Sequence, residues 1–177
     1  MNRLNDIALA TQVAVFHNKR AFDQLVREYQ SPVRRFFLTQ SMGNEALSDD
    51  LAQDTFVKAY THIAQYRGTS NFLTWLTRIA YNVWYDYLRS HHPTADVERL
   101  PEHATNHSSV EMSDIYTALK QLKDEERICI TLQLIDGYDI SEIARITQMK
   151  EGTVKSHLSR GKEKLANYLR QNGYDRS

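Results

Sequence analysis

The segment from Gly137 to Leu169 constrains this chain more than any other. Gly137 follows the apolar residues Ile128, Leu132 and Ile135, where a helix closes in a left-handed cap. Asp139-x-x-Glu142 then forms a capping box at the start of a short helix carrying Ile143, Ala144 and Ile146. Gln148, Met149 and Lys150 make a turn. A longer helix follows, with Val154, Leu158, Leu165 and Leu169 on its inner side. Short helix, tight turn and longer helix make the shape that lays its second helix in a major groove of DNA.

The outer face of that segment fits the same task. From Arg145 to Arg170 seven basic residues (Arg145, Lys150, Lys155, Arg160, Lys162, Lys164 and Arg170) stand against Glu151 and Glu163, a local net charge of +5. The whole chain of 177 residues is formally neutral, so the patch is hidden in the total, and nucleic-acid binding must be local or depend on a partner. Lys155, Ser156 and Ser159 project from the first turns of the second helix, where base edges are reached. Thr153, Arg160 and Lys162 are better placed for phosphates, which set register but not sequence. A charge run alone usually marks a solvated face. The cap, the turn and the apolar partner helix together favour DNA contact.

The rest of the chain is patterned for helices. Gly and Pro are scarce, at 6 and 3, which argues against a many-turned β fold. The spacing predicts helices over about 4–15, 18–30, 46–65 and 71–90, then 113–122, 124–136, 140–147 and 151–171. The second is expected to stop at Ser31-Pro32 and resume through Val33, Phe36 and Phe37. Between these groups, residues 91–112 hold His91, His92, Pro93, Pro101, His103 and His107, and set one basic residue, Arg99, against Asp96, Glu98, Glu102 and Glu111. That stretch reads as a flexible linker of net charge −3. Its histidines have no cysteine nearby and are not read as a metal site. The expected architecture is all-α: a helical domain over 1–90, the linker over 91–112 and a helix-turn-helix domain over 113–177.

Two features of the first domain suggest binding. In the segment Tyr66 to Arg89, Phe72, Leu76, Ile79, Val83 and Tyr87 repeat at helical spacing and face the core. The other face carries Trp75, Arg78, Asn82, Tyr85 and Arg89, a stripe suited to single-stranded nucleic acid: bases stack on rings, arginine meets phosphate and an amide pairs with a base edge. The alternative is that Trp75, Tyr81, Trp84 and Tyr85 all belong to a thick core. Arg67, Gly68, Thr69, Ser70 and Asn71 form a polar loop before the helix, able to hold an unstacked base. Upstream, Asp50, Gln53, Asp54 and Val57 share one face at i, i+3, i+4 and i+7, while Leu47, Leu51, Phe56, Ala59, Tyr60 and Ile63 can serve the core. An acidic face with an apolar member suits a basic protein partner. Asp49 and Asp50 also lie near a helix start and can stabilise its dipole.

Other classes are disfavoured. The chain has no Gly-rich phosphate loop, no nucleophile elbow, no His-Glu-x-x-His and no pair of Glu-x-x-His motifs for a di-iron bundle, so no enzyme, metal or cofactor is expected. The single cysteine, Cys129, lies between Ile128 and Ile130 and reads as a buried thiol. No apolar run reaches a membrane span, and residues 1–21 lack the pattern of a signal peptide, so the cytoplasm is expected.

Taken together, AFDQLVREY, DDLAQDTFVKAY, YRGTSNFLTWLTRIAYNVWYDYLR and GYDISEIARITQMKEGTVKSHLSRGKEKL resemble, in this order, the extracytoplasmic-function sigma factors of bacterial RNA polymerase. The resemblance covers most of the chain. It implies that Asp50, Gln53, Asp54, Phe56 and Val57 grip the clamp of core RNA polymerase. It implies that Arg67, Ser70, Asn71, Trp75, Arg78 and Asn82 melt and read the minus-ten promoter element. Thr153, Lys155, Ser156, Ser159, Arg160 and Lys162 would read the minus-thirty-five element as duplex, the linker would thread polymerase channels near the RNA path, and an anti-sigma factor is a possible partner. The chain departs from that family's usual pattern in three places: Leu122-Lys123 stands for Leu-Pro, Thr147-Gln148 for Leu-Gly, and Lys150 for the Ser or Thr that caps the recognition helix. Two other readings stand beside it. An autonomous dimeric helix-turn-helix regulator would leave the acidic and aromatic faces unexplained, and a helical scaffold would leave the basic helix unexplained.

Overall fold

A computed structural model of the chain describes residues 3–91 and 110–174, with the side chains of 110–113 excluded. Eight α-helices and no strand are found among the described residues: α1 Arg3–Phe16, α2 Lys19–Gln40, α3 Glu45–His62, α4 Phe72–His91, α5 Val110–Lys120, α6 Asp124–Ile130, α7 Ile140–Thr147 and α8 Glu151–Gln171. A 3-10 turn, Ile63–Gln65, continues α3, and a π turn, Thr131–Ile135, continues α6. The all-α class is as expected. The linker expected over 91–112 lies, from 92 to 109, outside the described residues.

Contacts separate two compact units. One holds α1, residues 19–37 of α2, α3 and α4; the other holds residues 38–45 and α5 to α8.

The first unit closes around apolar stripes. In α2, Leu25, Tyr29, Val33, Phe36 and Phe37 recur at helical spacing and are all buried. That stripe runs straight through Pro32, and the expected break at Ser31-Pro32 does not occur. Proline removes one rung of the helical ladder, but buried residues on both sides outweigh the loss. Leu9, Ala10 and Val13 of α1, Leu51 and Ala59 of α3, and Phe72, Leu76, Val83 and Trp84 of α4 complete the core. The Tyr29 ring meets Phe72 at 5.3 Å between centroids, and Phe22 meets Tyr60 edge-on at 5.0 Å.

The second unit is built on α6. Ile128, Cys129, Ile130 and Leu132 are buried with Ile143 and Ile146 of α7 and Val154 and Leu158 of α8. Burial pushes the Cys129 thiol up to about 12, with Glu125 adding to the shift, so it is an inert core group. The helix expected to run unbroken over 124–136 widens at its end, where the Asp136 amide donates to the Thr131 carbonyl five residues back. Leu134 and Ile135 emerge at the surface there. Gly137 takes the left-handed conformation expected of it, with φ +77°. The capping box is formed in both directions, Glu142 N–H to Asp139 at 2.7 Å and Asp139 N–H to Glu142 at 3.1 Å. Gln148 closes α7 in the left-handed region, φ +59°, a strained choice for a residue with a Cβ. Leu169 was expected on the inner side of α8 but is 40% exposed. At 1.5 Å per residue, α8 runs roughly 31 Å against about 12 Å for α7, and its last turns outrun that partner.

Candidate functional site

Three surfaces carry the residues singled out by sequence. On α3, Asp50, Gln53, Asp54 and Val57 are exposed along one face. Phe56 is only 9% exposed and turns to the core instead, so the structure does not bring it to that face. Its position around the helix explains this: Phe56 sits with buried Thr55 and Ala59, away from the acidic stripe. Asp49, at the start of the same helix, is held by the Arg34 guanidinium at 2.5 Å. Lys58 reaches Asp86 of α4 at 3.0 Å, and Arg89 bonds the same carboxylate, which together hold Asp86 below the usual carboxylate range. Of these exposed pairs Arg34–Asp49 joins α2 to α3 and Lys58–Asp86 joins α3 to α4, while Arg89–Asp86 lies within α4, each contributing well under about 1 kcal/mol.

The second surface is the loop before α4 and one side of that helix. The four aromatics whose placement was open divide evenly. Trp84 and Tyr81 are core residues, at 0% and 8% exposure, whereas Trp75 and Tyr85 stay half-buried. Arg78 and Asn82 are exposed on the side of Trp75. Trp75 leans on Tyr66 and Phe72, with centroids at 5.5 and 5.4 Å, so one part of its ring is supported and the rest is open. The loop is held from several directions. The Tyr66 hydroxyl donates to the Ser70 carbonyl at 2.9 Å, and the Asn71 carbonyl accepts the Trp75 amide at 3.2 Å as α4 begins. Gly68 is buried in the left-handed region, φ +68°, and a Cβ there would come within 2.8 Å of the Ile7 Cδ1. Arg67, Thr69 and Asn71 remain exposed and Ser70 half-buried.

Sequence reasoning missed the support beneath this loop. Arg3 of α1 donates to the Gly68 carbonyl, and Asp6, 2% exposed, accepts the Tyr29 hydroxyl at 2.8 Å. Burial, then the charge of Asp6, raises the Tyr66 hydroxyl, with Arg3 opposing. A signal was present: Asp6 stands at i to Leu9, Ala10 and Val13 at i+3, i+4 and i+7, a carboxylate in an apolar register.

The third surface is α8. Thr153, Lys155, Ser156, Ser159, Arg160 and Lys162 are all exposed. Lys150, at the cap position, makes no side-chain cap, and its carbonyl receives the amides of Thr153 and Val154. Beneath the helix lies Glu126, 1% exposed, which the sequence reading did not single out. It accepts from Lys164 at 2.6 Å and pairs with Arg160 at 3.5 Å, while its carboxylate also receives the Lys123 amide at 3.1 Å. Burial pushes Glu126 up, but the Lys164 bond, the Lys123 amide and the charges of Lys164 and Arg160 outweigh it and hold the carboxyl below its ordinary value. Gly161 sits over α6, where an added Cβ would lie 2.7 Å from Ile130 Cγ1. The helix thus approaches α6 at backbone distance and turns its basic side outward.

No group of three or more His, Cys, Asp or Glu residues that could hold a metal occurs among the described residues. No helix among them is long and apolar enough to cross a membrane.

Comparison with known proteins separates the readings. The Sigma-70 region 2 profile matches residues 25–94, and the Sigma-70, region 4 profile matches residues 112–165. The ECF RNA polymerase sigma factor SigM of Mycobacterium tuberculosis is 34% identical over 170 residues, covering 94% of this chain and 85% of its own. The chain belongs to the ECF RNA polymerase sigma factors. The ECF RNA polymerase sigma-E factor of Haemophilus influenzae is 31% identical to this sigma factor, over 94% of the chain and 96% of its own. Among solved structures, the sigma factor RpoE of Bartonella quintana, determined in complex with the anti-sigma factor NepR, aligns with a TM-score of 0.71 at 27% identity, over 88% of this chain and 98% of its own. This sigma factor therefore directs transcription initiation. The region 2 match over 25–94 sets aside an autonomous regulator with an unrelated first half.

Proposed function

We propose that this sigma factor holds core RNA polymerase with the acidic face of α3, opens and reads the downstream promoter element with the loop before α4 and the stripe beside it, and reads the upstream element as duplex with α8. Asp50, Gln53, Asp54 and Val57 meet the polymerase clamp. Arg67, Ser70 and Asn71 cradle an unstacked base while Trp75 stacks, Arg78 meets phosphate and Asn82 meets a base edge. Lys155, Ser156 and Ser159 read duplex base edges, and Thr153, Arg160 and Lys162 fix register on phosphates. The linker, whose residues 92–109 lie outside those described, threads the polymerase channels near the RNA path. Neutral overall charge supports a division of labour: the free protein binds DNA weakly, and polymerase joins both DNA surfaces into one high-avidity complex in the cytoplasm. An anti-sigma factor is a further partner, a reading supported by the solved relative captured with one.

The observation that carries this reading is the first unit's half-open Trp75 beside exposed Arg78 and Asn82, next to a loop tied down at Gly68 and Ser70. The test is gel filtration with core RNA polymerase from the same organism, then transcription from genomic fragments. Co-migration and discrete start sites support the reading; failure of folded protein to co-migrate overturns it.

A further inference from the structure

We infer that the first turns of α1 position the downstream-element loop, with Arg3, Asp6 and Ile7 acting on base recognition through Gly68 and Tyr66 rather than by touching DNA. The inference rests on the proposed role of that loop. Three contacts from α1 converge on it. The Arg3 guanidinium bonds the Gly68 carbonyl, 65 residues away in the chain, and fixes the orientation of that peptide. The Ile7 side chain fills the space where a Cβ on Gly68 would stand, so the loop backbone lies against α1 with no room between them. Asp6 holds Tyr29 by a buried hydrogen bond, Tyr29 packs on Phe72, and Phe72 packs on both Tyr66 and Trp75. The path from α1 therefore ends on the ring that stacks and on the tyrosine that closes the loop.

Asp6 is the unusual member. It is 2% exposed, and its second carboxylate oxygen, Oδ1, is buried with no hydrogen-bond partner among the described residues. An unsatisfied buried acceptor costs free energy that an apolar residue in this register would save. Sites that break a packing rule in this way are where function tends to reside. Arg3 is the complementary probe. It is exposed, so its replacement leaves the core intact while freeing the Gly68 peptide.

The test is a promoter-selection experiment with holoenzyme assembled from full-length chain and core RNA polymerase. The probe is duplex DNA with a fixed upstream element and a randomised downstream one, scored for base preference after open-complex capture. Arg3→Ala should flatten downstream base preference by about tenfold, as Asn71→Ala should, with core affinity and upstream preference within about twofold of wild type. Asp6→Ala should do the same. Asp6→Asn, which keeps an acceptor for the Tyr29 hydroxyl, should restore most of the preference; thermal unfolding of both Asp6 variants separates loss of fold from loss of positioning. If Asn71→Ala flattens the preference while Arg3→Ala and Asp6→Ala leave it intact, the positioning role is overturned. If Asn71→Ala and Trp75→Ala leave it intact too, the loop reading itself fails and the role of α1 falls with it. A uniform loss of core affinity in Arg3→Ala would also overturn the inference, since positioning of the loop would not produce it.

Discussion

Lys164 donates to the buried carboxylate of Glu126 at 2.6 Å across 38 residues of sequence, and Arg160 flanks the same group at 3.5 Å. A single internal acid thereby gathers two cations from the outward helix, and the Arg160 guanidinium also meets His157 Nδ1 at 3.1 Å. From sequence, Arg160 is expected at a phosphate, and the resemblance sets it among the residues reading the upstream duplex. In the proposed DNA-contacting role, its pairing with Glu126 would leave Arg160 less side-chain entropy to lose.

Glu126→Gln removes the charge but not the shape. With the Glu126 carboxyl held below the ordinary value near 4.5, its ion pairs stabilise the fold fully above that pH, and the contribution is lost as pH falls through the folded-state value. The variant should be destabilised by about 1–2 kcal/mol at pH 7, a modest loss because Lys164 and Arg160 keep access to solvent. Urea unfolding of both proteins from pH 7 downward should show the gap closing below pH 4.5. A gap that widened on acidification would reject this account.

Gly68→Ala asks a left-handed residue, φ +68°, to carry a Cβ into Ile7. Destabilisation of about 1–3 kcal/mol is expected from the backbone and the clash together. Downstream-element recognition should fall while upstream duplex binding persists, which footprinting on a promoter with each element scrambled in turn will show.

Lys150→Ser supplies the missing cap of α8. Its carbonyl already sits in place with φ −68° and ψ 145°, so a hydroxyl there can accept an amide from the first turn without rearrangement. A gain of about 1 kcal/mol in the stability of the second unit is the expected result, read by calorimetry or amide exchange along α8.

Asp54→Arg reverses charge on an exposed position that contributes nothing to the core. Circular dichroism and melting should match wild type, and co-migration with core polymerase should be lost. Retained affinity would remove Asp54 from the proposed clamp surface.

Trp75→Ala should slow promoter opening more than it weakens the closed complex, because stacking on a ring rewards only an unpaired base; a loss of about 1–3 kcal/mol per stacked base sets the scale. Permanganate reactivity and gel-shift titration on the same promoter separate the two steps, and equal losses in both would count against a melting role.

Much of this molecule was legible because local rules and global packing agree. The capping box at Asp139, the left-handed Gly137 and the bounds of α7 and α8 follow from residue chemistry within a few positions. The family resemblance drawn from four segments is also upheld. The discrepancies arise where burial and packing, rather than a local signal, decide the outcome. Pro32 reads as a stop until Leu25 and Val33 are seen buried on either side of it. Leu169 reads as core until α8 outruns α7. Phe56 is drawn to the polymerase surface by the resemblance alone, while its helical position and its burial both turn it inward. Glu126 looks like one of three acids in a first turn, and only its bond to Lys164 reveals it as the anchor of the basic helix. Asp6 and Arg3 act across the chain on Gly68 and Tyr29, which no spacing rule connects.

The crossing of α6 and α8 at Gly161 has a consequence for how promoter preference can evolve. An atom that is missing acts there as a keyway: Ile130 slots against bare backbone, and turning the long helix by one residue would drive the side chain of Arg160 or Lys162 into it. The helix is therefore indexed in rotation before any DNA is met. On the reading of α8 proposed above, a new upstream preference is expected to come from exchanging side chains at Lys155, Ser156 or Ser159 rather than from turning the helix on α6 by a residue.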